Sequence, residues 1–222
     1  MLRFAMRKFN DGFAFPYRYN KLTARLAPLL HDVDNILDVG TGDGRLGRHL
    51  MDVTGCHITG LDVCLQPQAY IDIHHYDGSR FPFADDTFDS VLMVDMLHHT
   101  DNIEQMLSEA HRVARRFVIV KDHYWNTRID VAALHVADYL GNIPYGVPLP
   151  YNYLRLAQWQ DMFRRHRLVE LECATFKYNR LEPAHHIMAK LRTQKALLHR
   201  HRQPTALLSA GGARSISTTW SG

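Results

Sequence analysis

The sequence predicts an α/β domain built on a mostly parallel sheet, and three observations carry that prediction. Short apolar runs alternate with stretches of helical period along most of the chain. The run Val91-Leu92-Met93-Val94 is continuously apolar, as in a strand buried on both faces. An apolar strand, Asn35-Ile36-Leu37-Asp38-Val39, runs directly into a glycine-rich turn, Gly40-Thr41-Gly42-Asp43-Gly44. A chain of 222 residues with 46% hydrophobic content can bury one sizeable core.

The elements follow in order. Residues 17–30 place Leu22, Leu26, Leu29 and Leu30 on one side of an amphipathic helix ahead of the first strand. A helix over about residues 45–53 leads to a second strand, 56–63, with an acid, Asp62, near its end. A third strand precedes Asp77, and the apolar run 91–94 is the fourth. Ile103, Met106, Leu107, Ala110 and Val113 keep a helical period, after which 115–121 forms a fifth strand. Residues 130–140 and 154–163 read as further helices. Residues 168–176 and 185–191, with a turn at Glu182-Pro183 between them, read as strands forming an antiparallel end to the sheet. From Thr193 the pattern fades through Lys195, Arg200 and Arg202 into Ser-, Thr- and Gly-rich sequence, so 193–222 is expected to be a short helix and a disordered tail.

The glycine-rich turn carries the first chemistry. Alternate glycines let the backbone take positive φ and approach a ligand, and the helix that follows offers free N–H groups in its first turn. Asp38 lies two residues before the first glycine, where a carboxylate suits a cationic group such as the ammonium of an amino acid better than a pyrophosphate. Gly42-Asp43-Gly44-Arg45-Leu46-Gly47 also fits the dinucleotide pattern G-x-G-x-x-G, with Asp62 about twenty residues on. That pattern normally sets its first glycine at the strand end, whereas Gly42 lies three residues past Val39.

Asp38-Val39-Gly40-Thr41-Gly42-Asp43-Gly44 resembles the first motif of class I methyltransferases that use S-adenosylmethionine, an acid, any residue, then G-x-G-x-G. The resemblance covers about residues 20–192, and Asp95-Met96-Leu97-His98-His99-Thr100-Asp101 is similar to the type 11 subgroup. It implies a Rossmann-like three-layer sandwich, with a mostly parallel seven-stranded sheet and an antiparallel last strand. It implies a methyltransferase domain over 1–192, with an N-terminal helical cap over 1–34 and a substrate or lid insertion over 122–165. The cofactor implied is S-adenosyl-L-methionine, the product S-adenosyl-L-homocysteine. By position, Asp38, Gly40, Thr41, Gly42 and Gly44 form its loop and Asp62, followed by Val63, holds the ribose diol. Asp77 and Gly78 meet the adenine, and Asp95 borders the methionine portion or the acceptor.

Composition narrows the setting. A net charge of +3 is too slight to imply a nucleic-acid partner. Cys56, Cys64 and Cys173 form no C-x-x-C and are odd in number, which favours a reducing, cytoplasmic setting over a disulfide framework. Residues 1–9 have too short an apolar core for a signal peptide, and no run approaches the roughly eighteen apolar residues of a membrane span. Fifteen histidines invite a metal, yet none is expected. His74-His75, His98-His99 and His185-His186 are adjacent pairs, and neighbours on a strand face opposite ways, so a pair gives one ligand at most. No H-E-x-x-H or Cys/His finger spacing occurs.

The acceptor is read from the segment after the fifth strand. Open parallel sheets bind ligands beyond the carboxyl ends of their strands, so Asp122, His123 and Tyr124 are expected to project toward the transferred methyl group. The Pro/Tyr-rich stretch 141–153 is expected to fold over the site as a lid. Methyl transfer from a sulfonium is an in-line displacement helped by alignment and exclusion of water. A hydroxyl acceptor gains from proton removal, for which His123 is the first candidate, Asp122 its orienter or substitute and His99 the next. Tyr124, Trp125, Tyr145, Tyr151 and Tyr153 favour a small, partly apolar acceptor methylated at O, N or C. Arg164-Arg165-His166-Arg167 keeps open an RNA or protein acceptor. An inactive cofactor-binding scaffold and an NAD-dependent oxidoreductase are the remaining alternatives.

Overall fold

A computed structural model describes residues 15–142, 149–179 and 184–196, together with Lys8, Gly12 and Glu182. Helix α1 (Phe15–Leu26) passes into a 3-10 turn (Ala27–Leu30), then strand β1 (Asn35–Val39), helix α2 (Arg45–Thr54) and strand β2 (His57–Asp62). Strands β3 (Ile73–His75) and β4 (Phe88–Val94) follow, then a 3-10 turn (Leu97–His99), helix α3 (Ile103–Val113) and strand β5 (Ala114–Tyr124). Helices α4 (Arg128–Asn142) and α5 (Leu156–Arg165) precede strands β6 (Leu168–Phe176) and β7 (His185–Thr193).

The seven strands form one sheet in the order β3-β2-β1-β4-β5-β7-β6. All neighbours are parallel except β7, which lies between β5 and β6 and runs antiparallel to both. Successive side chains of a strand face opposite ways, and the buried strands use this to fill two cores. Leu37, Val91 and Val118 pack with α3 and with Trp159 and Phe163 of α5. Ile36, Leu92 and Ile119 pack on the other face, with Leu22 and Leu26 of α1 and Leu46 and Leu50 of α2. The result is the three-layer α/β sandwich that the sequence predicts, with the antiparallel strand last in the chain.

Several boundaries differ from expectation for physical reasons. The first helix breaks after Leu26, where Pro28 removes a backbone donor and the chain tightens into the 3-10 turn. Strand β5 extends to Tyr124, three residues beyond Lys121, because Asp122, His123 and Tyr124 pair with Ile187, His186 and His185 of β7. These three side chains therefore belong to the sheet, beyond the point where β4 ends opposite Lys121, and not to the loop that follows. Pro183 of the expected turn, residues 143–148 of the expected lid and residues 197–222 of the expected tail lie outside the described residues.

Candidate functional site

The sheet order changes direction between β1 and β4, and open α/β sheets bind ligands beyond the carboxyl ends of their strands at such a point. The glycine-rich turn leaves β1 at this place. Gly40 and Gly42 take φ of 71° and 64°, in the left-handed region. A Cβ at Gly40 would lie 2.6 Å from the Cβ of Met96, whereas one at Gly42 would meet nothing within 4 Å. The two positions thus differ: Gly40 is fixed by both conformation and packing, Gly42 by conformation alone. Gly47, which completes the rival dinucleotide pattern, instead lets α2 lie close to Ile71 and Ile58.

Two carboxylates set the shape of the turn. Asp38 is buried beneath it and accepts a hydrogen bond of 2.7 Å from Thr41 Oγ1. Burial, reinforced by the charge of Asp62 and opposed by the Thr41 hydroxyl, pushes the Asp38 carboxyl up to about 7. Asp62, at the end of β2, accepts from the Gly42 N–H at 2.7 Å through Oδ2 and from the Cys64 N–H at 2.8 Å through Oδ1. Burial raises its pKa, against the pull of those backbone donors. Backbone donors from Gly42, Val63 and Cys64 do not use all four lone-pair directions of the carboxylate, so the group that ties the turn to β2 retains accepting capacity. Val63 follows it on the exposed side.

Asp77 is exposed, and its Oδ1 accepts from the hydroxyl and the N–H of Ser79 at 2.6 and 2.9 Å. Those bonds hold its pKa below the usual carboxylate value. Gly78, in the same turn, has φ of 84°.

Asp95 directly follows β4 with φ of 50°, a strained conformation for a non-glycine residue. Its buried carboxylate pairs with Lys121 Nζ and, at 2.5 Å, with a guanidinium nitrogen of Arg18 from α1. Burial would raise its pKa, but Lys121 and Arg18 hold it well below the ordinary range. Sequence reasoning placed Asp95 beside a ligand and did not foresee Arg18 or Lys121. The hint available was a lysine closing the apolar run of β5, in register with Val94 at the end of β4.

Alternation along β5 starts two clusters, which meet where the His98 and His123 ring centroids lie 5.1 Å apart. His123 shares a side of the sheet with Lys121, and its Nδ1 lies 3.4 Å from Asp95 Oδ1. Its ring is 4.7 Å, centroid to centroid, from that of His186 on β7. Burial pushes the His123 imidazole down to about 4, with Lys121 adding to the effect and Asp95 opposing it, so it is neutral at pH 7. Trp159 Nε1 donates to the His123 carbonyl at 3.0 Å and fixes the strand end.

Asp122 points to the opposite side and organises the 3-10 turn after β4. It accepts the N–H groups of Leu97 and His98 at 3.0 and 3.3 Å, and lies 2.5 Å from His98 Nδ1. Burial would lower the pKa of His98, but Asp122 and Asp138 raise it to about 10. Asp138, from α4, lies 3.3 Å from His98 Nε2 and 3.8 Å from His99 Nε2, and accepts from the Tyr153 hydroxyl at 2.6 Å. His99 is shifted down by burial and by His98.

Here the spacing rule for adjacent histidines fails. His98 and His99 occupy a 3-10 turn, not a strand, and their ring centroids are 4.0 Å apart. Both therefore reach one carboxylate. Asp138 was not identified from the sequence, and Tyr153 was singled out only as one of the aromatics favouring an apolar acceptor, because nothing local to α4 or to the segment after it signals which residues of the sheet they meet.

Fold, reversal of sheet order and glycine-rich turn together define the class: a class I methyltransferase fold. Residues 37–118 match the family described as a methyltransferase domain. Sterol methyltransferase-like 1 of Botryococcus braunii is 31% identical, the match covering 36% of this chain and 24% of that protein. Sterol methyltransferase-like 2 of the same organism is 25% identical over 64% of this chain and 43% of that protein. The chain spans less than half the length of these curated relatives. Among solved structures, the Burkholderia thailandensis 1,6-didemethyltoxoflavin-N1-methyltransferase, with bound 1,6-didemethyltoxoflavin and S-adenosylhomocysteine, superposes with a TM-score of 0.62. It is 14% identical, and the match covers 84% of each chain, a likeness of fold. Among the described residues, no helix is long and apolar enough to cross a membrane.

Proposed function

We propose that this protein binds S-adenosylmethionine beyond the carboxyl ends of β1 and β4 and transfers its methyl group to an O, N or C nucleophile of a small, partly apolar molecule. The observation that carries the reading is the Gly42 N–H held at 2.7 Å by the Asp62 carboxylate, which locks the turn of β1 to the end of β2 where the ribose would sit. Asp38 would supply negative charge beneath the methionine portion, and Asp77 with Gly78 the edge of the adenine site. When bound, the cofactor supplies an activated methyl group. The chain's own contribution is alignment of the acceptor opposite the sulfur, exclusion of water, and removal of a proton where the nucleophile carries one.

His123 is neutral at pH 7 and has a buried Nδ1 without a hydrogen-bond partner, so it can accept a proton from an acceptor brought to it. Its lowered basicity makes it a weak base. Asp122 is held by three N–H donors and by His98, and serves to orient the turn rather than to receive a proton. His99 is the second candidate for the base. An apolar acceptor is favoured by the aromatic grouping of Tyr151 and Tyr153 around His135, and by the sterol methyltransferase-like relatives.

Isothermal titration with S-adenosylmethionine, S-adenosylhomocysteine and NADH, for the native chain and for Asp62→Ala, tests the reading. Micromolar binding of both adenosyl ligands, weakened about tenfold or more in the variant, is expected from loss of a charged hydrogen-bonding group. Binding of NADH alone would redirect the search to hydride transfer.

A further inference from the structure

We propose that His98, His99 and Asp138 form a binding site for one divalent transition-metal ion, linking the turn after β4 to helix α4. This inference goes beyond methyl transfer and does not rest on it. A nitrogen of each imidazole and a carboxylate oxygen of Asp138 lie within 4.8 Å of one another. His98 Nε2 and His99 Nε2 are the nitrogens nearest that carboxylate, at 3.3 and 3.8 Å. Such separations approach those between ligands that share an ion through bonds of about 2.0–2.2 Å.

A second feature points to a ligand. His98 is 1% exposed, and its Nε2 is a buried nitrogen that faces Asp138 at 3.3 Å without the alignment of a hydrogen bond. Its other nitrogen, Nδ1, lies 2.5 Å from Asp122, which in turn accepts the backbone N–H groups of Leu97 and His98. A metal-binding histidine is typically held by a carboxylate in this way, its second nitrogen left for the ion. The Tyr153 hydroxyl gives Asp138 a comparable partner at 2.6 Å. The side chains of His99 and Asp138 are 14% and 12% exposed, which supplies a route for the ion and for water.

Two overlapping groups are poorer candidates. Asp95 with His123 and His186 already carries Lys121 and Arg18 on its carboxylate. Asp122, grouped with His98 and His123, already accepts four N–H groups. Two imidazoles and one carboxylate favour zinc or iron(II) over magnesium or calcium, which prefer oxygen ligands throughout.

The test uses the full chain without a histidine tag, titrated with zinc chloride against a competing chelator. One zinc per chain is expected, with affinity falling about tenfold or more in His99→Gln and in Asp138→Asn. The exposed His57→Gln should bind as the native chain does. X-ray absorption at the zinc edge of the native chain, independent of any variant, should show two imidazole ligands. Absence of saturable binding, equal affinity in all four proteins, or a zinc environment without two imidazoles overturns the site.

Discussion

The carboxylate of Asp122 and the imidazole of His98 lie 2.5 Å apart with both side chains withdrawn from solvent, at 0% and 1% exposure. This pair joins two parts of the chain that meet only in the folded sheet, the strand end of β5 and the turn after β4. Removing one member leaves the other buried without its charge partner, which typically costs about 3–5 kcal/mol. Asp122→Asn is therefore expected to lower unfolding free energy in urea by roughly that amount. A loss below about 1 kcal/mol, the range of an exposed pair, would mean that the pair does not hold the turn.

The glycines of the turn separate strain from packing. Gly42→Ala places a Cβ in open space and pays only for its left-handed conformation, about 1–2 kcal/mol. Gly40→Ala adds a close approach to Met96, for which overpacking costs about 1–3 kcal/mol more. Thermal unfolding of the two variants should rank Gly40→Ala clearly below Gly42→Ala. Equal midpoints would show that Met96 moves aside freely.

Asp38 predicts a pH dependence whose sign follows from its raised pKa. Its carboxyl titrates at about 7 when folded and near 3.8 when not, so between those values the folded chain binds more protons. Its contribution to stability is full below pH 3.8 and is lost as pH rises through 7. Asp38→Asn keeps a side-chain oxygen for Thr41 without this loss. The variant is expected to exceed the native chain in urea midpoint at pH 8, on the order of a few kcal/mol in unfolding free energy at about 1.4 kcal/mol per pKa unit, the difference closing toward pH 4. The same substitution should weaken S-adenosylmethionine if the cofactor's ammonium uses that charge. An unchanged midpoint at pH 8 would count against the buried-carboxylate account.

His123 divides the mechanisms once an acceptor is known. As a general base it should be worth about 10²–10⁴ in kcat, so His123→Ala should reduce turnover by that factor while leaving cofactor affinity intact. A loss under about threefold would leave catalysis to alignment alone.

The elements with strong local signals emerged from the sequence nearly unchanged. Residues 103–113 and 168–176 read as the helix and strand that the structure contains, because apolar spacing in each matches a single period. The Asp38 to Gly44 turn and Asp62 were likewise legible, since glycines set the path of the backbone and an acid ending β2 follows from chain order. Where the outcome turned on partners distant in sequence, local pattern was silent. The extension of β5 depended on the ladder with β7, and the two histidines after β4 were misjudged because a strand was assumed where a 3-10 turn formed.

The sequence by itself determined the α/β class, the alternation that fills two cores and the glycine-rich turn after β1, since each rests on residues near one another in the chain. Tertiary structure alone decided the charge arrangement around that turn. Arg18 and Lys121 reach Asp95 across 77 and 26 residues of sequence, and His98 meets Asp122 and Asp138 from two further elements. Burial then gives these groups their chemistry: a carboxylate, an imidazole or an ammonium withdrawn from water takes its charge state from its neighbours, and those neighbours are chosen only by the fold.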